Sequence, residues 1–152
     1  MSTVAEKIEV RAPIGTVFDC WCCFESFPMF MDGVDAVTWI DSDRTRWVVS
    51  IVGVRRSFEA TLIGRIPNGY LEWETTDGEV QHHGTVRFEA VSDEATMVEV
   101  RLEWEPFGVL EHTGRRLGLD RRRVRGDLRR FQELVETEPR RAAAIAGAAA
   151  AR

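Results

Sequence analysis

The chain has 152 residues, a length typical of a single domain. Because 44% of the residues are hydrophobic and 30% are charged, collagen-like, mucin-like and wholly disordered proteins are excluded. Its net charge of −5 is uneven, because residues 1–105 carry nine basic and nineteen acidic side chains while residues 106–152 carry eleven and six. No apolar run approaches the roughly 20 residues of a membrane helix and no signal-peptide pattern opens the chain, so we expect a cytoplasmic protein without an integral membrane segment.

The first elements are a strand and two short helices. Residues Val4 to Val10 alternate as a strand does, with one acid, Glu6, on the apolar face. Pro13 can begin a helix, and apolar residues then recur at the spacing of one helical face: Ile14, Val17, Phe18 and Trp21. The aromatic segment from Phe24 to Met31 predicts a second short helix that ends at Asp32-Gly33.

From residue 34 to residue 105 the apolar pattern repeats every second residue. It predicts six strands: 34–41, 45–52, 56–66, 70–75, 80–90 and 96–104. Gly53, Pro67-Asn68-Gly69, Asp77-Gly78 and Ser92-Asp93-Glu94 separate several of them. Because the connections are short, consecutive strands should pair antiparallel. One face of such a sheet carries charges and faces water, so the other face needs a cover.

The remaining sequence predicts that this cover is helical. A short helix is expected within 109–117, and Asp120 can cap a longer helix with the apolar stripe Val124, Leu128, Phe131, Leu134 and Val135. Pro139 ends it. We assign residues 1–138 to a single domain. The Arg/Ala-rich segment 139–152 offers little to bury and is predicted to be mobile or a helical extension.

Together these elements predict an α+β architecture. A curved antiparallel sheet of about seven strands wraps around one long C-terminal helix, and two short helices follow the first strand. The inner faces of sheet and helix then supply the core.

The order and spacing of these segments resemble the START-like (SRPBCC) superfamily, in particular its polyketide cyclase/dehydrase branch, which includes coenzyme-Q-binding-type proteins. The resemblance covers about residues 3–138. It rests on Val10-Arg11-Ala12-Pro13 with Val17 and Trp21, Phe27 to Val34, Phe58-Glu59-Ala60 with Pro67, Leu71-Glu72-Trp73 with Asp77-Gly78, Gly84 to Phe88, Glu105 to Gly108, and Asp127-Leu128 with Phe131 and Glu136. It implies a helix-grip fold with an elongated, mostly apolar cavity. Members bind lipids, quinones, sterols, hormones or polyketides, and a minority catalyse cyclisation or dehydration.

Candidate cavity residues are those that alternation or the helical stripe places on the inner faces. They are Trp47, Phe58, Leu62, Trp73, His82, Gly84, Phe88, Trp104, Arg121, Val124 and Leu128. Pockets for small molecules are lined by such apolar groups with a few polar ones. The alternative for each residue is a filled core.

Three inward polar residues carry the chemical hypotheses. His82 can be a polar anchor or a general acid/base, with Gly84 leaving space beside it, or it can be a core histidine satisfied by the backbone. His83 should face water. Arg121 can bind an anionic group at the cavity mouth or extend into solvent. Glu6 can lie at the cavity end, but an exposed strand end is favoured.

The other polar clusters predict no chemistry of their own. Three nearby cysteines, Cys20, Cys22 and Cys23, argue against a disulfide framework. His82 and His83 are the only other soft ligands that form a cluster, so the spacing of a zinc site is lacking, and we expect no metal and no cofactor. The helix arginines alternate with acids on an acidic protein, so a solvated face is favoured over nucleic-acid binding.

Three functions remain open. The first is binding or carriage of a hydrophobic small molecule, such as a lipid, quinone or polyketide, without catalysis. The second is a polyketide aromatase/cyclase, with His82 as acid/base and Arg121 positioning an enolate. The third is an accessory protein whose surface, including the basic helix and the alanine-rich tail, docks on an assembly while its cavity is vestigial. Its partner is then another protein or a second copy in a homodimer.

Overall fold

A seven-stranded antiparallel sheet is the frame of the molecule, in a computed structural model that describes residues 2–51, 53–106 and 121–150. The strands are β1 (Ser2–Val10), β2 (Val34–Trp39), β3 (Arg44–Ile51), β4 (Val54–Ile66), β5 (Tyr70–Gly78), β6 (Val80–Ser92) and β7 (Ala95–Pro106). Their order is β1-β7-β6-β5-β4-β3-β2. The predicted meander of six strands is confirmed, and β1 joins it by pairing with β7.

Helices cover the concave face of this curled sheet. After β1 come α1 (Ile14–Cys22) and a 3-10 helix (Phe24–Met29), and the chain closes with α2 (Arg121–Thr137) and α3 (Pro139–Ala150). The stripe predicted for α2 is buried, which confirms the α+β helix-grip architecture. The short helix expected within 109–117 lies outside the described residues.

Aromatic side chains join the short helices to α2. The Trp21 ring of α1 lies 5.6 Å from the Phe27 ring, 5.4 Å from the Phe30 ring and 5.2 Å from the Phe131 ring. The contacts of Trp21 with Phe27 and Phe30 are edge-to-face, as is that of Phe30 with Phe131 at 5.0 Å, and such contacts stabilise a core beyond their buried area. They fix the segment after the 3-10 helix against α2, and that segment borders the cavity described below.

The expectation that the C-terminal segment offers little to bury is wrong. Ala142, Ile145 and Ala149 of α3 are only 1%, 9% and 7% exposed, and α3 packs against α1. The Cys20 thiol donates to the carbonyl oxygen of Ala142 at 3.4 Å. Burial also raises the pKa of Cys20 to about 12, so this thiol remains protonated at neutral pH. Pro139–Ala150 forms a helix separate from α2, which ends at Thr137.

Candidate ligand cavity

An apolar cavity of about 90 Å³ lies between the concave face of the sheet and α2. Strands β2 to β7 supply its wall and floor, while the segment after the 3-10 helix and two residues of α2 form its rim. The lining consists of Met31, Asp32, Gly33, Val34, Trp47, Val49, Ser50, Phe58, Trp73, His82, Leu102, Trp104, Arg123 and Asp127.

One wall of the cavity is a layer of nearly parallel aromatic rings. The Trp47 ring lies 5.5 Å from the Phe58 ring at 17° and 6.0 Å from the Trp73 ring at 24°. The Trp47 indole N–H donates to Thr45 Oγ1 at 2.9 Å, so that its polar atom is satisfied away from the cavity. These three stacked rings therefore give the cavity an aromatic and largely apolar lining.

His82 borders this aromatic wall and is neutral at physiological pH. The Trp73 indole N–H donates to His82 Nδ1 at 3.3 Å, a contact that requires the tautomer with its proton on Nε2. Burial, with a smaller contribution from His83, lowers the pKa of His82 to about 4. Its ring centroid lies 5.8 Å from Trp47 and 5.6 Å from Phe58. The imidazole thus presents one polar edge among aromatic rings.

A second polar group lies at the rim, where α2 meets the segment before β2. Asp127 Oδ1 accepts the Asp32 backbone N–H at 3.0 Å and also a guanidinium N–H of Arg130. The Arg123 Nε–H donates to the Asp32 carbonyl oxygen at 3.2 Å. Burial nevertheless outweighs these contacts and raises the pKa of Asp127 to about 6. The carboxyl group is therefore protonated over part of the mildly acidic range.

The structure separates the sequence candidates into two groups. Trp47, Phe58, Trp73, His82 and Trp104 all line the cavity. The other apolar candidates are not among the described lining residues and pack elsewhere in the interior: Leu62, Phe88, Val124 and Leu128. For these four the alternative of a filled core describes the observed position.

Gly84 does not leave open space beside His82. A Cβ added at Gly84 would collide with the Trp73 indole ring, and Trp73 is the residue directly opposite Gly84 on β5. The glycine therefore makes room for the aromatic wall. The expectation that Gly84 leaves space beside His82 is corrected, because the Trp73 indole ring occupies that space.

The expected position of Arg121 at the cavity mouth is also corrected. Its side chain is 72% exposed and lies 3.1 Å from Glu6 Oε1, which Arg125 also contacts at 3.2 Å. Glu6 itself is only 14% exposed, so it is neither a free strand end nor a cavity group. Its carboxylate joins β1 to the first turns of α2.

Arg123 and Asp127 occupy the rim that the sequence analysis assigned to Arg121. They are four residues apart and therefore share one face of α2, adjacent to the apolar stripe. This spacing is visible in the sequence and could have indicated a pair at the rim. Several other arginine–acid pairs along the helix have similar spacings, however, so it does not single out this pair. Only the contact with Asp32 distinguishes this pair.

The remaining polar expectations concern surfaces. His83 points outward, where its Nε2 lies 2.6 Å from Glu72 Oε2, and it is partly rather than fully exposed. Arg122 and Arg129 are exposed on α2, whereas Arg115 and Arg116 lie outside the described residues. Docking of this face on a protein or a second copy stays a prediction.

Searches for a metal site and a membrane span find neither in the part of the chain that the structure covers. Within residues 2–51, 53–106 and 121–150, no three His, Cys, Asp or Glu side chains are grouped so as to hold a metal ion. Over the same ranges no helix combines the length and apolarity needed to cross a bilayer.

Comparison with known proteins gives a consistent set of relatives. The family model "Polyketide cyclase / dehydrase and lipid transport" matches residues 10–133. An uncharacterized 17.2 kDa protein of Streptomyces lincolnensis is 38% identical over 136 residues, which cover 90% of this chain and 91% of that protein. This relative is similar along nearly its whole length.

Solved structures reproduce the fold. A Deinococcus radiodurans protein superposes with a TM-score of 0.75 at 23% identity, covering 90% of this chain and 98% of that one. A START superfamily protein from Mycobacterium smegmatis gives 0.67 at 15% identity, with coverages of 89% and 94%. The Zhui aromatase/cyclase from Streptomyces sp. R1128 gives 0.63 at 15% identity, with coverages of 97% and 93%. At these identities the likeness concerns the fold.

Proposed function

This chain belongs to the polyketide cyclase/dehydrase and lipid transport family, and we propose that it binds a planar, largely apolar small molecule between the sheet and α2. The observation that carries the proposal is the wall of nearly parallel Trp47, Phe58 and Trp73 rings. A flat aromatic ligand can make offset or edge-to-face contacts with these rings, which add to the gain from burying apolar surface.

The polar groups at the cavity favour a ligand with hydrogen-bond acceptors at its edges. His82 Nε2–H and the Arg123 guanidinium are both donors, and both residues line the cavity. A carbonyl or phenolic oxygen can accept from either. A fused-ring quinone or polyketide with peripheral oxygens has this combination of a flat apolar body and acceptor atoms.

Binding requires the rim to open. The cavity of about 90 Å³ has room for several water molecules but is below the roughly 300 Å³ at which small-molecule pockets begin. Met31 and Arg123 are the rim side chains that a ligand would displace. Arg123 is partly exposed and has a long flexible stem, so we expect it to move on binding.

The test is a titration followed by tryptophan emission. A flat quinone such as anthraquinone, added to the purified protein, should change the emission saturably because three indole rings line the cavity. Val49→Phe, which adds bulk to the lining, should weaken the affinity at least tenfold, or about 1.4 kcal/mol. Val91→Phe is the matched control, since Val91 is 54% exposed and away from the cavity.

Two results contradict the proposal. One is the absence of a saturable change with a quinone, a fatty acid and a flat polycyclic hydrocarbon alike. The other is equal affinity in Val49→Phe and Val91→Phe, which would place the binding site somewhere else on the surface.

Cyclisation of a bound poly-ketone is the second candidate. The observation that favours it is that two groups able to transfer protons, His82 and Asp127, border one apolar cavity. A general base works best when its pKa lies near the operating pH, and the pKa of Asp127, raised to about 6, meets that condition better than the pKa of His82. Arg123, rather than Arg121, is then the cation positioned to stabilise an enolate.

Turnover distinguishes the two candidates. With a linear poly-ketone thioester as substrate, a cyclase would form an aromatic product, and His82→Gln and Asp127→Asn would abolish product formation while retaining affinity for the flat quinone. If the wild-type protein binds the quinone but forms no cyclised product, binding without catalysis is the function.

A further inference from the structure

The backbone hydrogen-bond ladder between β5 and β6 ends before either strand ends. Paired residues run from Tyr70↔Arg87 to Glu74↔His83. Beyond that point β5 pairs only with β4, and β6 only with β7. Thr75 Oγ1 bridges the difference, because it accepts the His82 backbone N–H at 2.7 Å and donates to the His82 carbonyl oxygen at 3.0 Å. A side chain therefore fills the place of a direct backbone ladder.

A second cavity, of about 340 Å³, lies at this break, and we call it the outer cavity. Glu74, Gln81, His83 and Glu103 line it from the convex face of the sheet, and Thr75, His82 and Trp104 complete the lining. His82 and Trp104 belong to the concave face by strand alternation and also line the ligand cavity. The outer cavity and the ligand cavity therefore share two lining residues, His82 and Trp104, at the place where the β5–β6 ladder is broken.

We propose that the outer cavity is a second access route to His82, through the sheet, for water and for small uncharged or cationic polar molecules. His82 then lies between two spaces of different chemistry. Its ring meets aromatic faces on the concave side, whereas the break opens it to a polar cavity on the convex side. The route is separate from the rim formed by Asp32, Arg123 and Asp127.

The charges around the outer cavity determine which molecules it admits. Glu74 and Glu103 are acidic, and a third carboxylate, Glu72, contacts His83 Nε2 at 2.6 Å. Glu103 lies 3.6 Å from both His83 Nδ1 and Arg101 Nε, so its position is held from two sides. A cavity with this surplus of carboxylates repels anions, and its polar lining does not favour large apolar molecules.

If the ligand cavity is filled as we propose above, this route leaves His82 in contact with solvent. A ligand stacked on Trp47 and Trp73 covers the concave side only. Protons can then exchange between bulk water and the imidazole from the convex side. The inference about the loaded protein rests on the proposed function, whereas the opening itself exists in the ligand-free structure.

The test measures how fast His82 reacts with diethyl pyrocarbonate, a small uncharged reagent for neutral imidazole. Modification of His82 and His83 is resolved by tandem mass spectrometry of the peptide that contains both. Gln81→Trp places an indole at the outer cavity, and Glu74→Trp does so from β5. Glu89→Trp is the matched control, because Glu89 is an exposed residue on the same face of β6 and lies away from the outer cavity.

In ligand-free protein we expect Gln81→Trp and Glu74→Trp each to slow His82 modification at least fivefold, and Glu89→Trp to change it less than twofold. In wild-type protein saturated with a flat polycyclic hydrocarbon such as anthracene, which has no oxygen to accept the His82 Nε2–H, the rate should stay within twofold of the ligand-free value. Circular dichroism and thermal melting check that each variant is folded. If either Gln81→Trp or Glu74→Trp does not fold, the other still provides the test.

Two outcomes overturn the inference. One is that neither folded blocking variant slows the reaction more than the Glu89→Trp control does. The other is that the bound hydrocarbon slows it fivefold or more, which would show that the reagent reaches His82 through the ligand cavity. If no ligand changes the tryptophan emission, the proposed function fails, and the variants of the ligand-free protein still test the access route.

Discussion

Deleting residues 139–152 should destabilise the protein substantially, because α3 buries apolar surface against α1. The deletion removes the buried side chain of Ile145 and the buried methyl groups of Ala142 and Ala149. It also uncovers the face of α1 that carries Cys20. The perturbation leaves the sheet, the cavity lining and α2 intact.

The magnitude follows from the buried groups. Full burial of an isoleucine side chain contributes about 2 kcal/mol and each buried methyl group about 0.8 kcal/mol. Fraying at the end of the chain lowers this sum, so we expect a loss of about 3 kcal/mol in the free energy of unfolding. For a domain of this size each kcal/mol corresponds to about 3 °C, which predicts a decrease in melting temperature of about 10 °C.

Differential scanning calorimetry of the full chain and the deletion variant measures this directly. Ile145→Ser should reproduce about half of the loss, whereas Ala148→Ser, at an exposed position of the same helix, should stay within about 1 °C of the full chain. A decrease below about 3 °C on deletion would show that α3 is not held against α1, and the packing argument would be refuted.

Three further predictions concern other parts of the fold. Gly84→Ala should lower the free energy of unfolding in urea by about 2 kcal/mol, because the added Cβ collides with Trp73. Gly147→Ala should instead raise it by about 0.5–1 kcal/mol, since nothing lies within 4 Å of the added Cβ in α3. Burial raises the pKa of Asp127 from 3.8 to about 6. The stability linked to its protonated form is therefore present below pH 3.8 and is lost as the pH rises through 6. The free energy of unfolding of Asp127→Asn, measured in urea titrations, should gain roughly 2 kcal/mol relative to wild type between pH 4 and pH 7. Glu6→Gln should cost less than about 1 kcal/mol, because its two arginine partners are largely exposed, and the loss should shrink in 1 M salt.

Strand alternation predicted most of the sheet and placed His82 correctly, because its period of two is insensitive to small errors at strand ends. The cavity wall followed from the same rule, which turned Trp47, Phe58 and Trp73 to one face. Alternation does not say which inward residues meet a space and which meet each other. That distinction depends on distances across the sheet, as the contact between Gly84 and Trp73 shows.

The helices were harder to predict in detail. The stripe of α2 indicated which face is buried, but a residue at the border of that stripe can turn either way. Arg121 turns to Glu6, whereas Arg123 reaches Asp32. In α3 the buried positions 142, 145 and 149 lie on one helical face. Because alanines occur on every side of this helix, the sequence shows no contrast between a buried face and an exposed one.

The break between β5 and β6 had no signal in the sequence, because it depends on which group satisfies a backbone donor. Asp77-Gly78 indicated a turn, and a regular hairpin would have continued the ladder up to it. Instead the Thr75 hydroxyl takes both hydrogen bonds of the His82 backbone. Threonine in a strand is common, so neither its presence nor its spacing distinguishes this arrangement.

The surroundings of His82 relate the two candidate functions of the cavity. A binding protein needs the imidazole only as a fixed donor, and the contact from Trp73 to Nδ1 holds Nε2–H in place for that role. A cyclase that uses His82 rather than Asp127 as its base needs the imidazole to release and regain a proton in each turnover, while its bound substrate covers the concave side. The low pKa of about 4 keeps the imidazolium scarce at neutral pH, so any proton taken up must leave quickly. An access route through the sheet is required for the second role and dispensable for the first. Blocking it at Gln81 should therefore reduce turnover in a cyclase and leave the affinity of a binding protein unchanged.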